Sequence, residues 1–172
     1  MKLWNIGAEG QYVMGALGAA VVVLAPVLPP ETPRFIQIPV MVVFGVVFGA
    51  LWGAVPGLLK AKLKVNEIIT SLMMNYIAIE LVNYFVFAVW SEGGFQQSAT
   101  FPKTSWLPRL TDYAKDLPIL RGLTTHFGLI LALLAAGLVW FILYRSLWGY
   151  EIRLIGDNPR AAEYAGLNIT RN

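Results

Sequence analysis

Residues Phe127–Tyr144 read FGLILALLAAGLVWFILY, eighteen positions with no charge and, until Tyr144, no polar side chain. A helix crossing a hydrocarbon core about 30 Å thick needs roughly 20 apolar residues, so this stretch is a candidate membrane span. Comparable apolar runs lie at about 7–28, 36–59 and 68–90. Hydrophobic residues fill 57% of the 172 positions and charged residues only 13%, about half the soluble share. One soluble core could not hide that much apolar surface. The expected fold is therefore all-α: a multi-spanning transmembrane helix bundle of about four spans, with residues 1–172 as one transmembrane segment.

The runs are separated by clear punctuation. Pro26, Pro29, Pro30 and Pro33, with Glu31 and Arg34, form a turn that no helix can continue through. Lys60, Lys62 and Lys64 follow the second run, and a 35-residue segment, Ser91–Thr125, follows the third. Arg145, Arg153, Arg160 and Arg171 follow the fourth. Basic residues in short loops mark the cytoplasmic side, which places the three lysines and Arg145 there. Four spans then put both termini on that side, in agreement with Lys2, and leave 91–125 external. The net charge of +3 is thus read as a topology signal, and nucleic acid is not expected as a partner. With no cysteine, disulfides and thiolate metal sites are excluded, and neither metal nor cofactor is expected. The first run lacks the basic flank and cleavage site of a secretory leader.

Two runs carry more than hydrophobicity. Gly45, Gly49, Gly53 and Gly57 in the second recur every four residues, a ridge without side chains on one helix face that suits close helix packing. Pro56 is expected to kink the end of that helix. The third run is the most polar. At about 100° per residue, Glu67, Ser71 and Asn75 share one face and Tyr76, Glu80 and Asn83 another. A carboxylate within a membrane faces the bundle interior or water and is a functional candidate. Glu67 instead sits close enough to the lysines to pair at the interface.

Two short motifs break the apolar pattern. In Asn5-Ile-Gly-Ala-Glu-Gly-Gln11, Gly7 and Gly10 weaken a regular helix, and transporters place substrate sites at such breaks. An ordinary polar first turn is the alternative. Near the end, Asn158 is a good N-cap, Pro159 a good first helical residue and Gly166 a good stop. They bound a short helix over Pro159–Ala165 in a cytoplasmic region 145–172, a shape suited to a partner's groove.

These two motifs and the stretch Asn66-Glu-Ile-Ile-Thr-Ser-Leu-Met-Met-Asn-Tyr-Ile-Ala78 resemble the membrane permeases of bacterial ATP-binding cassette importers. The similarity is greatest to the simple-sugar and nucleoside branch of the group that contains ribose and branched-chain amino acid permeases. The resemblance implies a bacterial inner-membrane protein, not an enzyme, and names its partners: an ATPase subunit, a second permease subunit forming a homo- or heterodimer, an extracytoplasmic substrate-binding protein, and membrane lipid. It also implies that Asp157–Gly166 is the coupling helix, with Asn158, Pro159, Arg160, Ala161, Ala162, Glu163 and Gly166 engaging the ATPase. Arg160 stands where the family pattern has a glutamate, so no specific salt bridge is carried over. Family members have roughly twice this length, so the chain is expected to be a segment of a working subunit.

Substrate-path candidates are Asn5, Glu9, Gln11, Asn75, Tyr76, Glu80 and Asn83, polar groups suited to nucleosides or sugars, which need hydrogen bonds and little charge neutralisation. No Gly-x-x-x-x-Gly-Lys-Ser/Thr loop occurs, so ATP binding by a P-loop belongs to another subunit. The segment 91–125 carries Phe95, Phe101, Trp106, Leu107, Leu110 and Tyr113 among charges. Its expected place is the membrane surface, either helping to seat a binding protein or serving as an aromatic anchor. His126 has no catalytic or ligating neighbours in sequence and reads as an interfacial residue. Two other readings stay open: a proton-coupled carrier using Glu9 or Glu80, and a scaffold assembled through the glycine ridge.

Overall fold

The computed structural model describes residues 4–25, 27–29, 31–113, 125–158, 162, 164 and 166. Among them every regular element of more than five residues is an α-helix: α1 (Ala8–Leu24), α2 (Arg34–Leu63), α3 (Glu67–Tyr84), α4 (Gly128–Arg145) and α5 (Leu147–Asp157). The chain divides into two compact units, Trp4–Trp106 and a second from Leu107 onward.

Each apolar run becomes a helix, but not to equal length. α2, α3 with its continuation to Val89, and α4 are long and apolar enough to cross a membrane. α1 has 17 residues, at the short end of the spanning range and about 25 Å long. It stops because Ala25 precedes Pro26, whose ring disfavours helical backbone in the residue before it, and Ala25 is extended, at φ −99° and ψ 120°. Pro26 and Pro30 of the predicted turn lie outside the described residues. The second run is longer than expected: α2 has 30 residues and includes both Pro39 and Pro56.

α2 ends at Lys64, whose φ of +55° is left-handed. Asn66 then caps α3, its side chain accepting the Ile68 N–H at 3.0 Å. The connection between α2 and α3 is therefore only three residues long, and it brings Lys60 within 2.7 Å of Glu67. At its far end α3 widens into a π-helical turn, Phe85–Val89, a departure found frequently at functional sites.

Within the first unit, α1 lies against both α2 and α3. The buried core is small: Met14, Leu17 and Ala78, with Phe48, Trp52, Leu81 and Phe85 packed around them. Most large apolar side chains of α2, such as Val43, Val46 and Leu51, are exposed, and α4 has no buried residue. Helices built this way are stable only where lipid or other helices cover them.

In the second unit, the Leu110 N–H donates to the Thr125 carbonyl at 2.9 Å and the Phe127 N–H to the Pro108 carbonyl at 3.0 Å. These bonds tie the chain before α4 to its first turn. The residues 114–124 of the segment read as external lie outside the described set.

Candidate functional site

The Asn5–Gln11 motif is held as a shaped entry to α1 by α3. Asn5 Oδ1 accepts the Gly7 N–H at 2.8 Å, a local Asx turn that offers the backbone an alternative to helix. Three longer-range bonds then fix the break. Asn75 Oδ1 accepts the Gly10 N–H at 2.8 Å, Asn75 Nδ2 donates to the Ile6 carbonyl at 2.9 Å, and Ser71 Oγ accepts the Ile6 N–H at 3.3 Å. Helix starts leave backbone N–H groups without internal partners, and at membrane depth such groups must find protein partners. Asn75 and Ser71 supply them.

The two glycines are what allow this approach. A Cβ on Gly7 would lie 3.0 Å from the Ser71 Cβ, and one on Gly10 would lie 2.8 Å from Asn75 Oδ1 and 3.0 Å from the Asn75 Cα. Backbone and side chain of α3 fill the space a larger residue would need. Of the substrate-path candidates, Asn75 is buried with both ends of its amide engaged by the chain's own backbone, so its geometry is that of a clamp. Asn5 is exposed but uses its oxygen locally. Glu9, Tyr76 and Glu80 are exposed, while Gln11 and Asn83 are half-buried. The two faces of α3 inferred from periodicity thus separate: Ser71 and Asn75 face α1, and Tyr76 and Glu80 project to the open side.

The glycine ridge also meets α1. A Cβ on Gly45 would lie 3.2 Å from the Gly15 carbonyl oxygen, and one on Gly49 would lie 3.1 Å from that of Gln11. At Gly53 the neighbour is the Gln11 side chain, whose Nε2 is 3.0 Å away, and Gly57 has nothing within 4 Å. α1 answers with small residues of its own. A Cβ on Gly15 would be 3.1 Å from the Gly45 carbonyl oxygen, and one on Gly18 only 2.7 Å from that of Phe44. Gly15 and Gly18 were not singled out from sequence, although their spacing of three on an apolar helix was visible. Beyond the ridge, the Trp52 indole on α2 donates to the Met74 carbonyl at 3.2 Å, linking α2 to α3 one residue from the clamp.

At the other end of the chain, Asn158 closes α5, donating its N–H to the Leu154 carbonyl, and its own carbonyl accepts the Ala162 N–H at 3.1 Å. Asn158 is extended, at φ −149° and ψ 97°, as the residue capping a following helical turn would be. Gly166 has a φ of +78°, the left-handed conformation of a helix stop. Ala162 is buried. Pro159, Arg160, Ala161 and Glu163 lie outside the described residues. Sequence reasoning passed over α5 itself, although Ser146 signals it: the Ser146 hydroxyl accepts the Gly149 N–H at 3.0 Å. Among the described residues no cluster of three or more metal-ligating side chains occurs.

The family profile described as branched-chain amino acid transport system / permease component matches residues 1–172. Among curated relatives, the guanosine ABC transporter permease protein NupP of Bacillus subtilis is 37% identical over 99% of this chain and 46% of its own length. The nucleoside ABC transporter permease protein NupB of Lactococcus lactis is 32% identical over 98% of this chain and 46% of its own. A glucose ABC transporter permease protein of Haloferax volcanii is 34% identical over 96% and 43%. The chain thus spans less than half the length of these relatives. No solved structure gives a significant match.

Proposed function

Because the chain belongs to the branched-chain amino acid transport system / permease component family and is a multi-pass membrane protein, we propose that it forms part of the transmembrane permease of an ATP-binding cassette importer for nucleosides or simple sugars. The observation that carries this reading is the match of nearly the whole chain to relatives named for guanosine, nucleoside and glucose import. In this reading α1 to α4 are four spans in a bacterial inner membrane, both ends of the segment face the cytoplasm, and the complete permease pairs with a second permease subunit. A separate ATPase supplies energy, and a substrate-binding protein delivers the solute at the outer face.

The geometry supports a division of labour. Asn75 and Ser71 hold the broken start of α1 rigidly against α3, and the glycine ridge locks α1 to α2, so the three helices move as a unit. The open side of α3, with Tyr76, Glu80 and Asn83, then lines the path with Glu9, while the Gln11 side chain packs against Gly53. A neutral, hydroxyl-rich solute is matched by amide, phenol and carboxylate groups that exchange hydrogen bonds with little net charge transfer. The Asn158–Gly166 segment, bounded by a cap and a left-handed stop, is the element that engages the ATPase, through Asn158, Pro159, Arg160, Ala161, Ala162, Glu163 and Gly166.

Cross-linking tests the coupling role. A cysteine placed at Ala162 of the complete permease is expected to form a disulfide or bismaleimide link to the ATPase subunit in the assembled complex. An assembled complex with no such link from Ala162 or Ala161 would rule that role out.

A further inference from the structure

Among the described residues of its unit, the helix that follows α4 has an exposed apolar face. α4 ends at Arg145, and Ser146 breaks the helix with φ −106° and ψ 158°. α5 does not continue the axis of α4. Gly149 is buried, and a Cβ there would run into the Ile142 and Leu143 carbonyl oxygens, so α5 crosses the last turn of α4 on its glycine side. That leaves Leu147 83%, Trp148 66%, Tyr150 56% and Ile152 42% exposed. At about 100° per residue these four span roughly 200° of the helix. Glu151 falls inside this arc but is half-buried and has a partner of its own.

The polar side carries the charge. The Arg153 guanidinium lies 4.9 Å from the centre of the Tyr144 ring, and that of Arg145 lies 6.0 Å from the centre of the Trp140 ring. Among the described residues the ion pair is Lys60–Glu67, and neither arginine has a carboxylate partner. Aromatic rings therefore orient both guanidinium groups.

We propose that α5 is an interfacial anchor that lies in the headgroup layer of an anionic membrane leaflet, its Leu147, Trp148, Tyr150 and Ile152 face in lipid and Arg145 and Arg153 on lipid phosphates. Three observations select lipid as the occupant. The face starts two residues beyond an 18-residue apolar helix, so it is continuous with that helix's lipid boundary. Its large side chains include tryptophan and tyrosine, which favour the water–hydrocarbon interface. Its charge is cationic, with no carboxylate partner for either arginine among the described residues, and is complementary to anionic headgroups. The proposal rests on α4 being a span and is independent of what is transported.

The chain has no cysteine, so in the complete permease, with any cysteines elsewhere replaced, Ile152→Cys and separately Leu134→Cys take one environment-sensitive fluorophore each. In nanodiscs, the label at 152 is expected to be quenched more by lipid carrying a nitroxide near the headgroup than by one labelled deep in the chain, and the label at 134 the reverse. Arg145→Gln and Arg153→Gln are each expected to lower retention of phosphatidylglycerol relative to phosphatidylcholine about fivefold. A label at 152 that iodide quenches and nitroxide lipids do not, with or without bound ATPase, would overturn the proposal. So would arginine variants that retain anionic lipid normally. A label at 134 that deep nitroxides fail to quench removes the span on which the proposal stands, and with it the anchor.

Discussion

Asn75 Oδ1 accepts the Gly10 N–H at 2.8 Å, and the same amide donates to the Ile6 carbonyl at 2.9 Å, so one side chain spans the break at the start of α1. Replacing Asn75 by Leu keeps the number and branching of side-chain heavy atoms and removes both bonds. Leaving the buried Gly10 N–H unpaired costs about 1–3 kcal/mol, and the partly buried Ile6 carbonyl less, so the variant is expected to lose several degrees of thermal stability in detergent. Ser71→Ala, which removes only the longer 3.3 Å bond, is expected to lose less. Equal losses in the two variants would mean that Asn75 is not the clamp.

The glycines of the α1–α2 interface are expected to differ sharply on substitution by alanine. Gly18→Ala places a Cβ 2.7 Å from the Phe44 carbonyl oxygen, which forces the helices apart at a cost of about 1–3 kcal/mol. Gly57→Ala meets nothing within 4 Å and gains helix propensity of up to about 1 kcal/mol. Thermal melts of the two variants measured side by side check both signs.

The Lys60–Glu67 pair bridges the short turn between α2 and α3 with both side chains partly exposed. Water and salt screen such a pair, so Glu67→Gln is expected to lower stability slightly at low salt and not at all at high salt. The charge-swapped double variant, Lys60→Glu with Glu67→Lys, is expected to recover the loss. A loss independent of salt would point to a role for Glu67 beyond pairing.

Much of this arrangement was readable from the chain because its signals are local. The four apolar runs, the glycine register and the cap at Asn158 each depend on residues within a few positions of one another. The clamp was only half readable. Ser71 and Asn75 could be put on one face, but their partners Ile6 and Gly10 lie 65 to 69 residues away, and no single-chain periodicity reports such a pairing. For the same reason the sequence placed Asn75 among the substrate-path candidates without showing that its amide bonds to the backbone of the α1 entry. Gly15 and Gly18 were overlooked because a pair spaced by three is weaker than four glycines in register. α5 was missed because its Ser146 cap directly follows Arg145 at the end of the fourth run; it is a separate helix from the one expected over Pro159–Ala165, most of which lies outside the described residues. The π-helical turn at Phe85–Val89 has no sequence mark.

On the open side of α3, Glu80→Gln in the complete permease is expected to raise the KM for solute severalfold while leaving its assembly with the ATPase unchanged. Uptake that loses a proton dependence on the same substitution would favour the carrier reading instead.

The central claim, that this chain is part of an ATP-driven permease, is tested most directly by uptake into proteoliposomes holding the complete permease, its ATPase and its binding protein. Labelled guanosine or glucose is expected to accumulate only with ATP and to stop when the ATPase active site is inactivated. Accumulation that persists with an inactive ATPase and follows a proton gradient would contradict it.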